Sequence, residues 1–172
     1  DEEEALDVRN TPERLARMYT QEILASYQPG ALDSLWQKFR TFPTHGKHEM
    51  VTLGPIAFSS TCAHHLLPFS GNAYVGYLPH KKLAGLSKIP RVVEFYSRKL
   101  QMQERMTTEV ADFLVAALKP KAVIVLVEAR HLCMEARGVE AKGVITRTSA
   151  VRGMALRDSS LKDEFYRLLF PR

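Results

Sequence analysis

LKPKAVIVLVEARHLC, residues 118–133, decides how this chain folds. Residues 122–127 are apolar without alternation, the pattern of a strand buried on both faces. Just upstream, Met106, Val110, Phe113, Leu114, Ala117 and Leu118 recur at spacings of three and four until Pro120 stops the pattern. A long helix therefore feeds a buried strand, and His131 and Cys133 follow at that strand's end.

Working outward, Ile89, Val92, Val93, Tyr96 and Leu100 predict another helix, with Ser87 as its cap and Pro90 tolerated in its first turn. Residues 101–103 interrupt that stripe. Residues 50–61 are rich in β-formers but carry Gly54 and Pro55, which predicts a bulged or broken strand. Residues 73–78 form a second strand ended by Pro79, and residues 143–150 a last one rich in β-branched side chains. The order after residue 47 is two strands, two helices, two strands, an α+β class.

Near the start, Thr11, Pro12 and Glu13 read as cap, first-turn proline and acid at the positive helix end. Leu15, Met18, Tyr19 and Ile23 continue that helix until Tyr27, Pro29 and Gly30. A short helix follows over residues 32–39, and Pro43, His45 and Gly46 then make a break. The division expected is an N-terminal helical arm, 1–46, and a main domain, 47–172.

The chain has 172 residues, enough for a domain plus an arm and too few for two full domains. With 45% hydrophobic and 25% charged residues, disordered and fibrous classes are excluded. No apolar run approaches the roughly 20 residues of a membrane helix. A cytoplasmic location is expected, with a leader removed ahead of Asp1 as the alternative.

Lys and Arg number 24 against 19 Asp and Glu, a net charge of +5, and four of the acids are the tip Asp1, Glu2, Glu3 and Glu4. The remainder is thus more basic than the total, which suits an anionic partner: nucleic acid, acidic lipid or a phosphorylated small molecule. No basic stripe interleaved with aromatics appears, which disfavours nucleic acid. The two Cys each sit beside His, which points to reduced thiols used for chemistry and a reducing compartment.

Cys62, His64 and His65, with His131 and Cys133 far along the chain, are the densest chemical cluster. Thiolate and imidazole are the donors Zn²⁺ prefers, and three protein ligands leave a fourth position for water. Cys62, His65 and Cys133 can supply the three, leaving His64 and His131 to move protons. A Cys62–Cys133 disulfide, a closed structural zinc site and unrelated core thiols are the competing readings. Ser87, Lys88 and Arg91 at a helix start, with Arg137 and Gly138 beyond Cys133, could bind phosphate or could be scattered surface cations. Gln103 and Glu104 could read a guanine edge or could simply cap a helix.

These stretches resemble the GTP cyclohydrolase I family: TCAHHLLPF (61–69), GLSKIPR (85–91), LQMQERMT (100–107), HLCMEARGV (131–139) and, in the arm, TPERLARMY (11–19). The resemblance implies a tunnelling fold, antiparallel strands with two helices on one face, and a homo-oligomer, a decamer of two pentamers with active sites between subunits. It implies zinc on Cys62, His65 and Cys133, and catalysis by His64 and His131. It assigns the triphosphate to Ser87, Lys88, Arg91, Arg137 and a neighbour's Arg14, and the guanine to Gln103 and Glu104. The implied reaction opens GTP at C8, releases formate and gives 7,8-dihydroneopterin triphosphate, for pterin and tetrahydrofolate biosynthesis. No nucleic-acid or membrane partner is implied.

Three positions depart from the family pattern: Ala63 where Glu is common, Pro90 in place of a better helix former, and Glu135, expected to set negative charge near Cys133 and Arg137. The alternatives are another tunnelling-fold enzyme acting on a pterin or deazaguanine, and a non-catalytic GTP- or zinc-binding assembly or regulatory protein.

Overall fold

The structure, a computed structural model, describes residues 8–44 and 49–171. The acidic tip and the His45 and Gly46 of the expected boundary lie outside the described residues. Helix α1 (Thr11–Arg17) follows Asn10, with Pro12 in its first turn, so Thr11 lies inside the helix rather than capping it. It continues as a π-helical stretch, Met18–Ile23, and a 3-10 turn, Ala25–Tyr27, before α2 (Ala31–Lys38). None of α1 is buried, and Leu15, expected on an apolar stripe, is 49% exposed. The arm is tied down by α2 instead. Leu35 joins the main core, and Trp36 and Phe39 pack on Phe113 with ring centroids 4.3 and 5.2 Å apart.

The remaining elements are β1 (Thr41–Pro43), β2 (Val51–Cys62), β3 (Pro68–Leu78), β4 (Lys82–Ala84), α3 (Lys88–Ser97), β5 (Leu100–Gln101), α4 (Gln103–Leu118), β6 (Ala122–His131), α5 (Leu132–Glu135), β7 (Thr146–Gly153), a 3-10 turn (Met154–Leu156) and α6 (Ser159–Leu169). The main sheet has the order β5-β2-β3-β6-β7, and a separate ribbon pairs β1 with β4. β6 is flanked along its length, from Leu78↔Ala122 to Phe69↔His131 on one side and from Ala122↔Gly153 to Ala129↔Thr146 on the other. The expected interruption in β2 is a register shift between Leu53 and Ile56.

The unbroken apolar run of β6 is explained by cover on both faces. Val123, Val125 and Val127 turn toward α3 and α4, where they meet a core that includes Ile89, Val92, Met106, Val110 and Leu114. Ile124 and Leu126 turn the other way, into a second cluster with Met50, Tyr74, Leu161 and Phe165. The two long helices thus share one face as expected, and α6, which the pattern reading did not assign, covers part of the opposite face. Gly76 of β3 makes room for it, since a Cβ there would strike the Phe165 ring.

Further local outcomes differ from expectation: the last strand, expected over 143–150, is Thr146–Gly153. Ser87 occupies the position before α3 without a side-chain cap bond. Leu100 leaves the helix stripe and enters β5, parallel to the end of β2, with Thr61↔Leu100 and Cys62↔Gln101 in register. β3 begins at Pro68 rather than residue 73, because pairing with β6 extends through Gly71, where a side chain would collide with the Glu128 carbonyl. Among the described residues no helix is long and apolar enough to cross a membrane.

Candidate metal centre

Cys62 is the last residue of β2, and the chain turns back after it to enter β3. The turn closes on itself: Cys62 N–H donates to the Leu67 carbonyl at 2.8 Å and Leu66 N–H to the Cys62 carbonyl at 2.9 Å. Leu66 takes a left-handed conformation, φ 55°. Ala63 N–H donates to the Gln101 carbonyl at 2.9 Å, so β5 ties the start of α4 to this turn. The Tyr19 hydroxyl donates to the Leu66 carbonyl at 3.1 Å, which brings the arm to the same loop. Across the sheet, the Phe69↔His131 pairing delivers the end of β6, and α5 then carries Cys133.

The ligand atoms of Cys62, His65 and Cys133 all lie within 4.8 Å of one another. Cys62 Sγ is 3.7 Å from His65 Nδ1 and 3.9 Å from His64 Nδ1. Tetrahedral zinc, with bonds of roughly 2.3 Å to sulfur and 2.0 Å to nitrogen, needs donor separations of about 3.5 to 3.8 Å. The three donors therefore fit the metal in type and nearly in place. Both thiols are free, which removes the disulfide reading. Among the described residues no fourth Cys, His, Asp or Glu joins the three-donor group. Cys62 is buried, Cys133 half-buried and His65 exposed, so the cluster opens to the surface. Burial pushes the Cys133 thiol up, and the adjacent Cys62 adds to this, while Arg137 pulls it back down.

His131 stacks on Phe69, centroids 4.7 Å apart and 4° from parallel. Burial lowers its pKa, opposed by the charge of Glu104. Its Nε2 is 2.7 Å from Gln103 Oε1. Glu104 is exposed on the first turn of α4, whereas Gln103 is only 1% exposed. The structure thus gathers Cys62, His64, His65, His131, Cys133, Gln103, Glu104 and Arg137 about one end of the sheet.

The other expected anion-binding side chains stand apart. Ser87 and Lys88 occupy the turn into α3, where Lys88 N–H donates to the Gly85 carbonyl at 2.8 Å. Arg91 lines a cavity of about 520 Å³ between the arm and α3, together with Lys38, Glu94 and Arg98. Arg14 is exposed on α1. Among the described residues no hydrogen bond or ion pair joins these four side chains to the cluster.

Pattern reading missed several residues that shape the site. Phe69 supports His131 from the side, and Thr107 and Thr148 hydrogen-bond around Gln103. No spacing in the chain signals them, because each comes from a different element. Glu135 also behaves differently from expectation. It forms a two-pronged pair with Arg130, at 2.8 and 2.6 Å, bracketing His131 and Cys133, instead of facing Arg137.

The GTP cyclohydrolase I family model matches residues 1–169. GTP cyclohydrolase 1 of Carboxydothermus hydrogenoformans is 43% identical over 77% of this chain and 67% of its own. The enzyme of the same name from Streptomyces coelicolor is 46% identical over 77% and 64%, and that from Aquifex aeolicus 44% over 77% and 67%. The aligned chain thus spans about two thirds of these relatives' length. The apo crystal structure of an archaeosine synthase QueF-like protein aligns at a TM-score of 0.48, with 17% identity over 64% of this chain and 97% of that one. On the family match and these identities, the chain belongs to the GTP cyclohydrolase I family.

Proposed function

We propose that the chain is a zinc-dependent GTP cyclohydrolase I, opening GTP at C8, releasing formate and yielding 7,8-dihydroneopterin triphosphate. The observation that carries this is the convergence of Cys62, His65 and Cys133 within 4.8 Å beside His131. Zn²⁺ held by those three side chains supplies Lewis-acid activation of water near neutral pH. His131 donates a proton to the purine ring nitrogen as negative charge builds there, and His64, exposed beside Cys62, serves the later transfers. Glu104 accepts hydrogen bonds from the guanine N–H groups, with Gln103 beneath it. Ser87, Lys88, Arg91 and Arg137 hold the triphosphate, so that binding far from the reacting carbon orients it.

Arg14 reaches the phosphates of a neighbouring subunit in this proposal, and the assembly is a decamer of two pentamers. Two features of the single chain favour assembly. Among the described residues α1 buries nothing and β7 pairs with β6 alone, leaving a free strand edge. The arm is residues 1–46, anchored to its own subunit through Leu35 and Phe39, and the catalytic domain is 47–172. We place the protein in the cytoplasm and in pterin and tetrahydrofolate biosynthesis. Incubation with GTP, with and without a chelator, tests the reaction: formate and a pterin chromophore are expected only with metal. Full zinc loading without a chromophore refutes it.

A further inference from the structure

Gln103 spends its side chain inside the protein. Its Nε2 lies 3.0 Å from the Val127 carbonyl, 3.0 Å from the Thr146 carbonyl and 3.1 Å from Thr148 Oγ1. Two of these acceptors are backbone carbonyls with no proton to give. The amide therefore cannot be turned over, since that would set oxygen against oxygen in a buried site. Its nitrogen must face β6 and β7, and its Oε1 must face His131 Nε2, 2.7 Å away.

The hydroxyl protons around it are determined as well. Thr107 Oγ1 donates to the Gln103 backbone carbonyl at 2.7 Å. Thr148 must then donate to Thr107 Oγ1 across their 2.7 Å contact, and it accepts from the Gln103 amide. Both hydroxyl protons are thereby placed, and the two amide protons of Gln103 are shared among three acceptors. An amide oxygen only accepts, so His131 meets it with a protonated Nε2.

We propose that Gln103 is a positioning residue that locks neutral His131 in the Nε2–H tautomer, so that Nδ1 is the atom that gains the proton of the imidazolium and gives it up on donation. Among the described residues Nδ1 has no hydrogen-bond partner, and the parallel Phe69 ring holds the imidazole plane from the side. With its amide protons turned inward and the residue only 1% exposed, Gln103 leaves guanine recognition to Glu104. This rests on the proposed function only in naming His131 as a proton donor.

The ring spectrum and the kinetics test it separately. In the zinc-loaded full chain labelled with ¹⁵N-histidine, solid-state NMR about two pH units above the ordinary imidazole value of ~6.5 reads the neutral tautomer. The His131 signals are assigned by their loss in His131→Asn. A protonated Nε2 is expected, and a protonated Nδ1 or an even mixture overturns the proposal in the unmodified protein, whatever any variant does. Gln103→Met keeps the side-chain length and removes the acceptor. It is expected to mix the tautomers and to lower kcat by about 10- to 100-fold, with the KM for GTP within about twofold. A raised KM with kcat preserved means that Gln103 reads the base, and overturns the proposal. If the unmodified chain turns over no GTP, the functional assignment fails while the ring spectrum still decides the tautomer.

Discussion

Replacing Phe165 by Ala tests how the outer face of the sheet is closed. Phe165 is fully buried, and of α6 only it and Leu161 are buried. They sit against Met50, Tyr74, Ile124 and Leu126, and the missing side chain of Gly76 creates the seat for the ring. Burying such a ring contributes about 1.5–3 kcal/mol by transfer, and the cavity left behind raises a Phe→Ala loss to roughly 3–5 kcal/mol. An 11-residue helix is marginal by itself in water. With Leu161 as the one remaining buried anchor, α6 should detach before the sheet opens. The measured loss then stops at the docking energy of the helix, at or below the lower end of that range. Hydrogen exchange by segment, alongside denaturant unfolding, separates the two outcomes. The expected pattern is fast exchange in residues 159–169 with β6 still protected. Uniform deprotection of β6 and α6, or a loss under about 1 kcal/mol, would refute the account of α6 as a separately docked cover on the outer face.

Cys133→Ser should abolish stoichiometric zinc binding and product formation while leaving the circular dichroism spectrum unchanged; retained zinc in elemental analysis contradicts the ligand assignment. Tyr77→Phe should cost about 1–3 kcal/mol, because the Ala84 N–H that donates to the Tyr77 hydroxyl at 3.0 Å loses its partner in a buried place. Urea titration of that variant reads the loss, and an unchanged midpoint would show that the bond contributes nothing. Asp158 caps α6, and hydrogen bonds from the Ser160 hydroxyl and then its backbone N–H hold the Asp158 carboxyl below its usual range. A depressed folded-state pKa means that this stabilisation is complete above the unfolded value of ~3.9 and disappears as pH falls through the folded one. Protection of α6 amides should therefore weaken in acid, and Asp158→Ala should flatten that dependence. An equal acid slope in both proteins would assign the loss to other groups.

The amino-acid sequence by itself determined the core elements and singled out the candidate metal donors. Continuous apolar runs and three-four spacings are local, so β6, α3 and α4 could be recognised without knowing what covered them. The identities of Cys62, His65 and Cys133 declare their chemistry wherever they lie, and Gly54 with Pro55 marks a strand interruption in any context. α6 went unassigned although Leu161 and Phe165 have helical spacing, because two anchors with polar neighbours do not show which surface receives them.

Only the tertiary structure decided the rest, because it depends on which atoms meet across distant elements. Leu100 obeys a helical spacing, but pairing with the end of β2 takes it into a strand. Glu135 looks like a neighbour of Arg137 along the chain, and the bend at α5 turns it to Arg130. Gln103 follows the same rule. Adjacent to Glu104 in sequence, it points inward while Glu104 points out, since successive residues of a helix differ by about 100° in direction. Its orientation is set by two carbonyls and a hydroxyl brought in by β6 and β7, which no spacing along the sequence encodes.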